Sequence, residues 1–488
     1  MTEGQTRIEK DSMGEMPVPA SALYGASTQR AVLNFPISGR AVPEAVIRAY
    51  AVLKAACAAV NKDLGLLDDR RSSDIVNACA LIEAGLPDHG GLGPHFPVDI
   101  FQTGSGTSTN MNVNEVVANL ACLAHGEPIG RSKDPTWYMD ASDGGSGGVH
   151  PNDLVNMGQS SNDTFPTAMH IAAARAITDH TLPAVSELAA SLEAKAKAWD
   201  EVVKIGRTHL QDATPIRLGQ EFGGYAAQLR HGETRLKRAL ETLGELPLGG
   251  TAVGTGINTH LEFGRRVAAS VAERTDIAFR EADNHFEAQH AKDAFVEASG
   301  HLRTLAVSLS KIANDIRWLG SGPRCGIGEL KLPAVQPGSS IMPGKVNPVI
   351  CEAVIMVACQ VAGNDQAVTL GAFGGVGSIL DLNVAMPMMA ANLLDSAALL
   401  AGACETFRTK LIEDLEPDRE RCAALIEGSL AMCTSLVPVI GYDASAKLAY
   451  QAYESGKTIR ELALEQNLLP ADELEKLLDA RSMTEPKA

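Results

Sequence analysis

The chain has 488 residues, 45% of them hydrophobic, and a formal net charge of −17. That length exceeds one ordinary domain and supplies ample core material, so two or three domains are expected. The charge excludes a broad nucleic-acid or anionic-membrane surface, because either needs a dense basic face, and bound anions must therefore meet local positive groups.

The N-terminal MTEGQTRIEKDSMGEM is polar and mixed in charge, with no apolar segment, so neither a signal nor a transit peptide is expected. Nine cysteines are scattered from Cys57 to Cys433 without a CxxC pair. That spacing excludes a zinc or iron–sulfur ligand set and suits a reducing cytoplasm, so no metal and no cofactor are expected and the location is read as cytoplasmic. The first polar interruption, QTGSGTSTNMN at 102–112, contains GxG without a preceding strand pattern, a poor dinucleotide fingerprint. DPTWYMDASDGGSGG, 134–148, has no periodicity and reads as a surface excursion, followed by HPNDLVNMGQSSND at 150–163.

Helical periodicity then takes over. Leu182, Val185, Leu188, Leu192 and Trp199 mark one helix, and Phe222, Tyr225, Leu229, Leu236, Leu240 and Leu243 another. Between them GRTHLQDATP, 206–215, reads as a short polar turn carrying His209, and GGTAVGTGINTH follows at 249–260. Leu302, Leu305, Leu309, Ile312, Ile316 and Leu319 step by three and four along a helix of about thirty residues, some 45 Å long. Helices are also expected over Val349–Ala362 and Met386–Leu411. The apolar stretch Ile379–Cys404 is interrupted by Asp381, Asn383 and Asp395, which argues against a membrane span. Near residue 411 the texture turns charged, LIEDLEPDRERC, and the tail reads as short helices. With little period-two alternation anywhere, the fold class is all-α: an N-terminal domain over 1–158, a central long-helix bundle over 159–411 and a small helical domain over 412–488.

Five polar loops rich in hydroxyls and amides suggest surfaces converging on one ligand. The loop PGSSIMPGKVNP, 337–348, is not a nucleotide cradle: five residues separate Gly338 from Gly344, and Val346 follows Lys345 where Ser or Thr is needed. Small residues with one cation suit a carboxylate instead. Ser339 and Ser340 lack a GxSxG elbow, so an acyl-transfer triad is unsupported. His209 sits in a polar turn rather than on an amphipathic face, but a catalytic imidazole needs an orienting carboxylate, and spacing does not single one out.

The segment GSSIMPGKVNP, Gly338 to Pro348, resembles the signature of the fumarase/aspartase superfamily. QTGSGTSTNMNVNEV, HPNDLVNMGQSSNDTFPTAMH and GRTHLQDATP resemble its other blocks in order, and the likeness runs from RIEKDSMGEMPVP to VIGYDASAKLAY, nearly the whole chain. The resemblance implies a homotetramer with a 20-helix core, five helices from each subunit, active sites shared by three chains and a small dicarboxylate substrate. It implies that Ser339 takes the carbon-bound proton, that His209 handles the leaving hydroxyl through a water, and that Glu352 pairs with this histidine. Substrate oxygens would be held by Ser105, Gly106, Thr107, Ser160, Ser161, Asn162, Thr208, Ser340, Lys345, Val346 and Asn347. His150, Pro151, Asn152 and Asp153 resemble a second anion site, which relatives often precede with basic residues; Gly147, Gly148 and Val149 stand there here, an arrangement expected to weaken it.

Finer spelling separates the branches. GQSSND, PGK at Pro343 to Lys345, HPND and CEA at Cys351 to Ala353 resemble class II fumarases, whereas TSTNMN is closer to many aspartases. The expected activity is reversible hydration of fumarate to (S)-malate, with aspartate ammonia-lyase as the alternative and a crystallin-like structural protein as the non-enzyme reading. In NTHLEF, Leu261 replaces the proline usual in relatives.

Overall fold

The computed structural model describes residues 5–139 and 147–486, so the middle of the expected surface excursion at 134–148 lies outside the described residues. The longer helices are α1 (Glu44–Asp63), α2 (Thr107–Ala124), α3 (Ser161–Ala176), α4 (Leu182–Ala198), α5 (Leu218–Leu243), α6 (Asp293–Leu319), α7 (Val349–Ala372) and α8 (Met386–Phe407). Two compact units divide the chain. One takes the residues up to Leu182, Thr234–Thr304 and Cys359–Leu400; the other takes Pro183–Glu233, Leu305–Ala358 and the residues from Ala401 onward.

In the first unit, α1 is alanine-rich, and the small residues Ala49, Ala51, Ala55 and Ala56 are all buried. They let α1 lie close against α3, where Tyr50 meets Phe165 edge-on with ring centroids 6.1 Å apart. Helix α2 departs from the usual division of faces: Asn110, Asn112, Asn114, Glu115 and Asn119 are buried alongside Val113, Val116 and Val117. Buried amides cost stability unless bonded, so such a helix must serve polar neighbours on its inner side.

In the second unit, the predicted seam of α6 from Leu305 onward is buried throughout, with Leu309 1% exposed and Ile312 and Ile316 fully covered. Trp199 packs edge-on against Phe222 at 4.7 Å, Phe222 against Tyr225 at 5.3 Å, and the Tyr225 hydroxyl donates to Asp315 of α6 at 3.0 Å. The tail forms short helices as expected, and Leu448, Ile459, Leu462 and Leu474 make its own small core with Ile205.

Two expectations need correction. Period-two structure is present: two-stranded antiparallel hairpins form from β1 (Thr6–Asp11) with β2 (Gly14–Pro19) and from β3 (Val203–Thr208) with β4 (Gln211–Arg217). Inward-pointing charge hid the second pair, because Lys204 and Arg207 both reach Glu329, which has no exposed surface. The apolar stretch also divides differently. Asp381 and Asn383 precede α8, which begins at Met386, so only Asp395 lies inside the helix. Both Val349–Ala372 and Met386–Ile412 are thus long and apolar enough to cross a membrane, at mean hydropathy 1.2. A helix apolar on all sides needs cover on all sides, and the chain buries only 28% of the most apolar window of α7, leaving Met356 and Leu370 exposed.

Candidate functional site

Two polar loops end as helix starts in the first unit. Gly106, at φ +77°, precedes α2, and a β-carbon there would lie 2.0 Å from the Phe165 ring, so only glycine fits. Ser160 caps α3, its hydroxyl accepting from Asn162 N at 3.2 Å while Asp163 accepts from Ser160 N at 2.9 Å. The two starts meet: the Thr107 and Ser161 hydroxyls are 2.7 Å apart, and Ser105 lies 3.1 Å from Thr107. Helix N-termini present unpaired N–H groups and a positive dipole end, which suits an anion.

A third loop joins them. Asp163 is fully buried and also accepts from Gly249 N at 3.2 Å and Thr251 N at 2.9 Å, while Asn162 donates to Ala252 O at 2.8 Å. Burial pushes the Asp163 carboxyl up to about 6, against the pull of those backbone donors. The sequence reading missed Asp163 as a loop organiser, although its place three residues after Ser160 spells a capping box. It also missed Lys54, Asn156 and Gln159, a buried lysine and two half-buried amides that form a polar cluster behind the same loop. A lysine inside AVLKAACAAV with no acidic residue three or four positions away was the available signal.

The HPND stretch forms one turn of π-helix, Pro151–Val155, capped by His150 Nδ1, which accepts from Asp153 N at 3.1 Å. Pro151 is buried, whereas Asn152 and Asp153 face outward. Burial lowers the His150 pKa, and the Asp153 carboxylate partly offsets this. The positive charge that the preceding residues lack comes from elsewhere: Arg71 Nε donates to Gly148 O at 3.2 Å, and Arg70 donates to Gly147 O.

The second unit holds the other polar loops. Thr208 and His209 sit at the tip of the β3–β4 hairpin, exposed, with His209 at φ +56° and Leu210 at φ +59°. Two-residue hairpin tips of this kind favour Asn-Gly; a His-Leu pair there carries backbone strain, which surrounding structure must impose. A register shift between Ile205 and Arg207 sets the tip, and Gly206 permits it, since a β-carbon would approach Thr214 O to 2.7 Å.

The loop bearing Ser339 is closed at its neck: Gly338 N donates to Lys345 O at 2.9 Å, and Asn347 Nδ2 donates to Gly338 O at 2.5 Å. Within it the Ser339 hydroxyl oxygen accepts from Met342 N at 3.0 Å and Ile341 N at 3.3 Å. Two N–H donors aimed at one hydroxyl oxygen stabilise its deprotonated form. Ser340, Lys345 and Val346 are exposed on the same loop, and Glu352 is exposed in the first turn of α7. The chain therefore brings Ser105, Gly106, Thr107, Ser160, Ser161 and Asn162 together, while His209, Lys345 and Glu352 remain on its surface.

A family model described as lyase matches residues 14–363, and one described as fumarase C C-terminus matches residues 432–485. The fumarate hydratase class II of Corynebacterium glutamicum is 52% identical over 99% of this chain and 97% of its own length. The chain belongs to the class II fumarase family. Among solved structures, the class II fumarase of Schistosoma mansoni superposes with a TM-score of 0.91 at 38% identity, covering 99% of this chain and all of that one. The fumarate lyase:delta crystallin of Brucella melitensis gives 0.90 at 43% identity, again over 99% of this chain and all of its own. These family likenesses span both units, and so include the hydroxyl cluster as well as the serine loop.

Proposed function

We propose that the chain is a class II fumarate hydratase, reversibly adding water to fumarate to give (S)-malate. The observation that carries this reading is the Ser339 hydroxyl oxygen held by two backbone N–H donors on the loop that also carries Lys345. A serine is a poor base at its ordinary pKa, and such donors make its alkoxide accessible. In the elimination direction that alkoxide takes the proton from the carbon next to one carboxylate, and the electron pair moves into that carboxylate as an aci-carboxylate. Lys345 stabilises the added charge. The hydroxyl then leaves from the adjacent carbon with a proton delivered through a water by His209, whose imidazolium Glu352 supports. Thr107, Ser161 and Asn162 hold the remaining substrate oxygens, aided by the helix starts beneath them.

The exposure of His209, Lys345 and Glu352, together with the apolar surface of α7, supports assembly into a homotetramer in which neighbouring chains complete each site. In that assembly the two long apolar helices pack against subunits rather than lipid, and the net charge of −17 disfavours a nucleic-acid partner. Nine free cysteines, six of them buried, support a reducing cytoplasmic setting.

The test is malate formation from fumarate by purified protein, with and without ammonium. Hydration that is indifferent to ammonium supports the proposal; aspartate formation would replace it with the ammonia-lyase reading, and absence of either product at saturating fumarate would leave the structural-protein reading.

A further inference from the structure

Lys54 lies in the middle of α1 with no exposed surface. Among the described residues no carboxylate is hydrogen-bonded to its ammonium: Nζ donates to Asn156 Oδ1 at 3.0 Å and Gln159 Oε1 at 2.9 Å, both neutral amides, while the buried Asp163 carboxylate favours the charge only through space. Burying a cation against neutral acceptors is costly, and a same-length apolar side chain would pack there at no such cost. The charge therefore does something that packing does not require.

What it organises is a junction. Asn156 Oδ1 also accepts from Asn110 Nδ2 at 3.1 Å and Asn114 Nδ2 at 3.2 Å, both on α2. Asn156 Nδ2 returns to Gln159 O at 3.1 Å, one residue before the Ser160 cap of α3. Asn110 Oδ1 in turn accepts from the Thr164 hydroxyl of α3 at 3.2 Å. Three donors thus converge on a single amide oxygen, and the charged one is the strongest. Burial holds the Lys54 pKa down to about 8, so the ammonium is still the dominant form at neutral pH.

We propose that Lys54 is a positioning residue for the reaction: its buried ammonium locks the amide cluster that spaces the starts of α2 and α3, and so sets the 2.7 Å meeting of Thr107 and Ser161. Its part in turnover rests on the fumarate hydratase reading; its part in the geometry does not. The substituted chains are Lys54→Met, which keeps length without charge, and Lys54→Gln, which restores one amide donor. Because Lys54→Met replaces a desolvated cation by an apolar side chain of similar length, and Asp163 keeps its three backbone N–H donors, the fold is expected to survive, as checked by an unchanged assembly size and cooperative melting. In folded Lys54→Met, KM for fumarate should rise about tenfold with kcat within about threefold, since groups that hold substrate in ground and transition states alike are displaced. Lys54→Gln should recover part of that rise. Amide hydrogen exchange at residues 103–110 and 156–164 should quicken in Lys54→Met while the rest of the chain is unchanged. Wild-type KM together with unaltered exchange in those two segments would overturn the proposal. Should the wild-type protein not hydrate fumarate, the functional reading fails separately and exchange decides the positioning role.

Discussion

The hydroxyl cluster at the starts of α2 and α3 and the two loops carrying His209 and Ser339 differ in how far one chain completes them. The first is tied inward although its outer face is open: exposed Thr107 meets buried Ser161, half-buried Asn162 and buried Asp163 find partners within the same unit, and Gly106 fits only because Phe165 leaves room for nothing larger. The second is outward. His209, Lys345 and Glu352 are exposed, and the strained His-Leu tip is held from beneath by Arg207 bonded to Glu329 at 2.9 and 3.0 Å. Under the proposed function, binding groups are preorganised by one chain's core, whereas the groups proposed to move protons are carried on projections.

The largest effect tests the projecting half. Ser339→Ala should lower kcat about 10²- to 10⁴-fold, the usual contribution of a positioned base, with KM within a few-fold. An equal loss of kcat and of substrate affinity would make Ser339 a binding group and erase the distinction between the two regions.

Acid sensitivity tests the inward half. His170 sits on α3, buried, with Nδ1–H donating to Glu245 O at 2.9 Å and also directed at Leu243 O at 3.2 Å. Burial, reinforced by the Lys292 charge, depresses its pKa to about 4 from 6.5. The unfolded chain therefore binds the proton more readily, and the stability present above pH 6.5 is lost as pH falls toward 4, by about 3 kcal/mol. Urea midpoints of wild type and His170→Gln should converge between pH 7 and pH 4.5; parallel pH profiles would show that α3 is not so constrained.

The smallest effect concerns a single hydroxyl. Thr107→Val removes the oxygen 2.7 Å from Ser161, and loss of about 1 kcal/mol should raise KM some five- to tenfold with kcat nearly retained. A fall confined to kcat would instead place Thr107 with the proton-handling groups.

Much of this architecture is legible in the sequence, for identifiable reasons. The step of three and four from Leu302 to Leu319 predicts α6 because a one-sided apolar seam has few other uses, and each of its residues is buried. The β3–β4 hairpin is less legible, because its inward positions are Lys204 and Arg207, which alternation rules read as solvent-facing until Glu329, 122 residues beyond Arg207 in sequence, is brought beside them. Ser339 and His209 stand out through the likeness of their loops to known relatives. Lys54 and Asp163 are only half legible: the capping box and the lone lysine among alanines are local signals, but the contacts to Gln159 and Thr251 that give them their roles lie 105 and 88 residues away.

The proposed completion of each site by neighbouring chains is tested in its sharpest form by asking whether His209 and Ser339 of one site come from different chains. Tetramers co-assembled from inactive His209→Asn and Ser339→Ala chains measure this directly. The account predicts recovery of about a quarter of wild-type turnover under random mixing, because that share of sites draws both intact residues. Verified mixed tetramers with no activity above either parent would contradict it.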